Sequence, residues 1–132
     1  MSLTKQITLG LTGSAQVEVN DQNTAIAYGS GDISVFATPA MIGLMEKAAL
    51  SSVDPLLPEG YTTVGIKVDV EHVAATPVGG VVRAQSRLLK IDGRRLVFEV
   101  QASDDTRVVG RGTHQRFIVK VDEFLQRVGS KK

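Results

Sequence analysis

The stretch Phe36-Ala37-Thr38-Pro39-Ala40-Met41-Ile42-Gly43-Leu44-Met45-Glu46-Lys47-Ala48-Ala49-Leu50 decides the fold, because it is a helix that belongs inside other structure. Thr38-Pro39 is a strong helix start: threonine can cap free backbone N–H groups, and proline is already shaped for the first turn. The pattern predicts a helix to Ser51 or Ser52. Met41, Ile42, Leu44, Met45, Ala48, Ala49 and Leu50 cover nearly its whole circumference, which is the mark of an enclosed helix. Asp54-Pro55 and Pro58-Glu59-Gly60 then close it and turn the chain.

What encloses it lies mostly downstream, where the period changes from 3.6 to two. Val64, Ile66, Val68, Val70, His72 and Ala74 are expected on one face, with Gly65, Lys67, Asp69 and Glu71 on the other. Thr76-Pro77 and Gly79-Gly80 end that strand. Val81 to Ile91 is the next, and Asp92-Gly93 before Arg94 is a two-residue hairpin signal. Leu96, Phe98, Val100 and Ala102 are expected to face inward on the strand that follows. Asp104-Asp105-Thr106-Arg107 turns the chain into a last strand, Val108 to Val121, and Asp122 is expected to cap a short helix to Val128. Upstream, Ile7 to Val19 predicts a first strand, and Thr24 to Ser34 a surface loop whose Gly29-Ser30-Gly31 is only a flexible turn. One strand, a buried helix and four strands joined by tight turns imply an antiparallel five-stranded sheet wrapped around a central helix, an α+β architecture. The tail Gly129-Ser130-Lys131-Lys132 is expected to fray.

The bulk properties narrow the function. A chain of 132 residues forms one core, so residues 1–132 are expected to make a single domain. A net charge of +1 gives no global field for nucleic acid or an anionic membrane. With no cysteine and only His72 and His114, neither a thiolate nucleophile nor a metal site is expected. The N-terminus lacks a basic segment leading into an apolar core, and no apolar run is long enough to span a bilayer, so a cytoplasmic location is the expectation.

Three residues stand out for chemistry. Glu46 has Ile42, Gly43, Ala49 and Leu50 as its neighbours three and four positions away, so its carboxylate lies in an apolar stripe. Such a group is either perturbed for reaction or paired with a base where the helix surfaces. His72 is in register with the strand face that covers the helix; alone it reads as a hydrogen-bonded core histidine, and beside Glu46 as half of an acid–base pair. Thr38 reads as the cap, with a hydroxyl that could also bind a substrate carbonyl or orient water. His114 shows no comparable register and reads as structural. The scattered arginines read as a solvated face.

At these residues the chain resembles hotdog-fold thioesterases, and most of all the fluoroacetyl-CoA thioesterase group. The likeness runs from about Ser34 to Val128. It rests on Phe36 to Glu46, on Glu71-His72-Val73-Ala74-Ala75-Thr76-Pro77, and on Gly112-Thr113-His114-Gln115-Arg116. The resemblance implies a hotdog fold and a catalytic group of Thr38, Glu46 and His72. It also implies a thioester oxygen received at the Gly65 backbone, with Arg116 in support. It further implies a homodimer joined edge to edge, an acyl-CoA substrate entering between protomers, and no cofactor. Asp32 stands where the fluoroacetyl enzyme has a lid phenylalanine, so hydrolysis of some small acyl-CoA is expected rather than fluoroacetyl selectivity. The alternatives within the same fold are an enoyl-CoA hydratase and a noncatalytic acyl-CoA binding module.

Overall fold

The computed structural model describes residues 2–129; Gly129, expected to fray, is instead the last residue of the terminal helix, and the same expectation for Ser130, Lys131 and Lys132 lies outside the described residues. In chain order the elements are β1 (Thr12–Glu18), α1 (Ala25–Tyr28), α2 (Thr38–Val53), a 3₁₀ turn (Asp54–Leu56), β2 (Tyr61–His72), β3 (Val81–Asp92), β4 (Arg95–Ser103), β5 (Val108–Lys120) and α3 (Val121–Gly129). The strands form one antiparallel sheet in the order β1-β3-β4-β5-β2, with α2 packed on one of its faces. This is the α+β arrangement expected from the pattern of periods.

The core helix is anchored by Met41, Leu44, Met45, Ala48, Ala49 and Val53, all buried against the sheet. Burying a side chain of the Met, Leu or Val type contributes about 1.5–3 kcal/mol, so this one face fixes the helix. The opposite stripe is not enclosed: Gly43, Lys47 and Leu50 are exposed, and Ile42 and Glu46 are half-buried. The sequence pattern, apolar nearly all round, overstated the cover that one chain supplies. The cap also differs from expectation. Ala37 is the N-cap, in extended conformation and without a side-chain bond, so Thr38 is the first helical residue and its hydroxyl is left for another partner.

Smaller shifts have local causes. β1 begins at Thr12, and Ile7 joins the core from the turn before it. The expected loop after β1 contains α1, capped by Thr24 Oγ1 accepting from the Ala27 N–H at 3.2 Å and stopped by Gly29 at φ +69°. The hairpin turns on Gly93-Arg94, since Asp92 still pairs with Arg95, and Gly93 supplies the positive φ. α3 starts at Val121, which places Asp122 in its first turn rather than at its cap. Leu96, Phe98, Val100 and Ala102 are buried as expected.

The largest departure is in β2. Its register on β5 slips between Gly65 and Lys67, leaving Ile66 as an extra residue. Thr63 and Gly65 lie opposite the buried Ile118 and Arg116, and Val68 opposite the buried His114, so both sets face the helix. Val64 and Ile66 therefore do not share a face with Val68, Val70 and His72, as strict alternation would require. One inserted residue reverses the parity of everything after it. β2 ends at His72, short of Ala74.

Gly13 sets how close α2 can lie. A Cβ built there would collide with the Ala48 carbonyl oxygen and come 2.9 Å from Ser52 Cβ. Because the obstacle is helix backbone, Gly13→Ala is expected to destabilise the fold by about 1–3 kcal/mol, the range for overpacking. Urea unfolding checks it, and an unchanged midpoint would show that the helix has room to move.

Candidate active site

Two polar groups occupy the helix-facing side of the sheet. The first joins the start of α2 to the end of β2. Thr38 Oγ1 lies 2.7 Å from His72 Nδ1, a hydrogen bond available because the hydroxyl is not spent on capping. The two residues line a groove of about 330 Å³ together with Ala25, Ser30, Val35, Phe36 and Val73 to Ala75. His72 Nε2 is buried and has no hydrogen-bond partner among the described residues. Desolvation holds the His72 pKa below its ordinary value, against a smaller opposing contribution from the Ala74 backbone.

The second group surrounds Glu46. Its Oε2 lies 3.6 Å from Arg116 Nη1 and 4.0 Å from His114 Nε2. Gly65 faces it from β2: a Cβ there would collide with the carboxylate and sit 3.2 Å from His114 Cε1, so only glycine leaves Glu46 its place. Glu46 keeps 40% of its side-chain surface exposed, which leaves the carboxylate open to a ligand. Arg116 is buried and multiply held, donating from Nε to Thr63 Oγ1 at 2.8 Å and from Nη2 to the Thr63 carbonyl at 3.0 Å. The Thr63 hydroxyl in turn donates to Asp54 Oδ1 at 2.6 Å, and Thr62 donates to Asp54 Oδ2 at 2.5 Å.

The site residues predicted from sequence thus fall into two sets. Thr38 meets His72; Glu46 meets Gly65 and Arg116. No hydrogen bond or ion pair joins Glu46 to His72 among the described residues, and Thr38 and Glu46 are eight residues apart, about 12 Å along the helix axis. Thr63 and Asp54 are partners that the sequence reading did not single out, and His114 is one that it read as structural. The signal for His114 was present in β5, where His114, Arg116 and Ile118 alternate on one buried face. Asp54 carried no such signal, since it sits where the helix closes and reads as turn punctuation, and Thr63 lies near the start of β2 with no register of its own to mark it. Among the described residues no group of three or more His, Asp or Glu could hold a metal ion, and no helix is long and apolar enough to cross a membrane.

Residues 19–122 match the family model described as fluoroacetyl-CoA-specific thioesterase. A fluoroacetyl-CoA thioesterase from Streptantibioticus cattleyicolor is 39% identical over 97 residues, covering 74% of this chain and 70% of that one. A solved fluoroacetyl-CoA thioesterase superposes with a TM-score of 0.89 at 32% identity, covering 96% of this chain and 98% of that one. A hot-dog-like protein from Thermanaerovibrio acidaminovorans superposes with a TM-score of 0.90 at 24% identity, over 99% and 97% of the two chains, which shows the hotdog fold.

The two histidines give the fold a defined acid sensitivity. Desolvation is the largest cause lowering each from 6.5. In the unfolded chain they protonate as pH falls through that value while the folded ones stay neutral, so the unfolded state binds more protons and stability drops. The loss continues until the folded groups titrate. The urea midpoint is expected to fall as pH is lowered from about 7, less steeply in His72→Gln than in the native chain. A midpoint that rises on acidification would contradict the assignment of both rings as neutral.

Proposed function

This chain belongs to the fluoroacetyl-CoA-specific thioesterase family, and from that membership we propose that two copies pair so that Thr38 and His72 of one protomer and Glu46 of the other act on a single thioester. The activity itself is acyl-CoA thioester hydrolysis, giving a free acid and CoA. The observation that carries the composite reading is the separation of the two groups on one rigid helix: the Thr38–His72 bond and the Glu46–Arg116 contact lie two turns apart. A single carbonyl does not span about 12 Å, whereas a second copy facing the first brings opposite ends of two helices together.

The surface supports that pairing. β2 is an edge strand of 12 residues that leaves Ile66 49% and Val68 37% exposed, beside the open stripe of α2. A long apolar edge of this kind calls for cover, and a second β2 supplies it. One continuous cluster of buried side chains supports reading the chain as a single domain. In the reaction, Glu46 either attacks the thioester carbonyl carbon, expelling the CoA thiolate and leaving an anhydride for water to cleave, or takes a proton from the water that attacks. The backbone at Gly65 receives the carbonyl oxygen, and Arg116 holds the carboxylate in place. In the tautomer whose Nδ1–H donates to Thr38 Oγ1, the threonine proton is free to polarise a substrate oxygen. Asp32, exposed in the segment before α2, offers no aromatic cover for a fluorinated group, so the acyl chain is read as small and not specifically fluoroacetyl.

Glu46→Gln keeps the size of the side chain and removes its basic oxygen. Turnover is expected to fall about 100-fold or more, in line with general-base losses, with the melting temperature nearly unchanged. Wild-type turnover in a folded Glu46→Gln protein would remove Glu46 from the chemistry. The composite site has its own test in heterodimers of Glu46→Gln with His72→Ala, isolated through two tags. One of the two sites then regains all its groups, and about half of wild-type turnover is expected per dimer. A heterodimer as inactive as its parents would place the whole site within one protomer.

A further inference from the structure

His114 performs no step in the chemistry proposed for Thr38, Glu46 and His72, yet it is 1% exposed and occupies the junction between β2, β5 and the carboxylate. Its Nδ1 lies 2.8 Å from the carbonyl oxygen of Lys67. A carbonyl only accepts, so Nδ1 carries the ring proton and Nε2 is left with its lone pair. Arg116 Nη1 is 3.1 Å from that lone pair and donates into it. Around the ring, Phe98 of β4 stacks at 6.3 Å and 28°, and β2 contributes the Lys67 carbonyl and Val68. The charged groups that act on it are Arg116 from β5 and Glu46 from α2.

We infer that His114 is a positioning residue for the site: as a neutral Nδ1–H imidazole it holds Arg116 Nη1 in the orientation that faces Glu46. The guanidinium is then fixed at three corners, Nε and Nη2 by Thr63 and Nη1 by His114, which holds Nη1 3.6 Å from the carboxylate. The same ring ties β5 to Lys67, the first paired residue after the Ile66 bulge. A protonated His114 would present a donor to the Arg116 donor and would release it. Desolvation and the arginine charge both disfavour that form.

The two ring nitrogens can be separated by substitution. His114→Asn places an amide donor near the Nδ1 position, keeping the Lys67 bond, and puts nothing where Nε2 accepted from Arg116. His114→Gln reaches the Nε2 position with an acceptor oxygen and gives up the Lys67 bond. The inference rests on Glu46 as the acting carboxylate. It expects kcat to fall about 10- to 100-fold in His114→Asn, the scale of a misplaced group, with KM within about twofold and recovery to within about fivefold of wild type in His114→Gln. Equal losses of kcat in the two variants, or unchanged kcat per folded molecule in His114→Asn, would overturn it. Imidazole ¹⁵N spectra of the native protein test it without any variant. The expected spectrum has a protonated Nδ1 and an unprotonated Nε2, held as pH is lowered through the ordinary histidine range. An Nε2–H tautomer or an ordinary titration would overturn it. Failure of the Glu46 reading appears elsewhere, as full turnover in Glu46→Gln, and leaves the ring tautomer untouched.

Discussion

A strand has two faces, and β2 must present Thr63, Gly65 and His72 on the same one. Their numbers differ in parity, so an uninterrupted strand would turn either the glycine that admits Glu46 or the histidine that meets Thr38 away from the helix. The extra residue at Ile66 resolves the conflict by advancing the pleat one step between them. Without it, Lys67, Asp69 and Glu71 would be driven against α2, and three charges would lose their water. The polar groups on both halves of the helix depend on that one irregularity.

Burying Arg116 is costly, because removing a charge from water costs several kcal/mol unless geometry and hydrogen bonds compensate. The compensation here is mostly neutral. Thr63 accepts through both its hydroxyl and its carbonyl, and His114 accepts through Nε2, so the guanidinium is satisfied without neutralising Glu46 outright. Asp54 acts one bond further off: by accepting the Thr63 hydroxyl proton it turns the threonine oxygen lone pair toward Arg116. Because Asp54 follows α2 directly, the end of the helix and the orientation of the arginine are fixed by the same contacts.

The fold was legible because its strongest determinants are local. The buried register of Leu96, Phe98, Val100 and Ala102 and the helix from Thr38 follow from periodicity alone. The bulge was not legible, since Val64-Gly65-Ile66-Lys67-Val68 alternates perfectly on paper and only pairing with β5 shows which residue is extra. Glu46 stood out by contrast with its neighbours, and His72 by its place in a valine run. His114 was passed over although it alternates with Arg116 and Ile118, because the glycines at 110 and 112 interrupt the apolar signature that would have exposed the register. Each has its own reason: a side chain at Gly110 would meet Met41 of α2, and one at Gly112 would meet the β2 backbone at Asp69 and Val70.

One wall of the groove at Thr38 and His72 is built differently from everything around it. α1 buries none of its four residues, and Ile26 and Tyr28 stand more than half exposed. Surface positions of this kind change at little cost to stability, whereas the residues behind Glu46 are tied into the core. The groove at Thr38 and His72 therefore has a border that can change at little cost to the fold, while the contacts around Glu46 cannot.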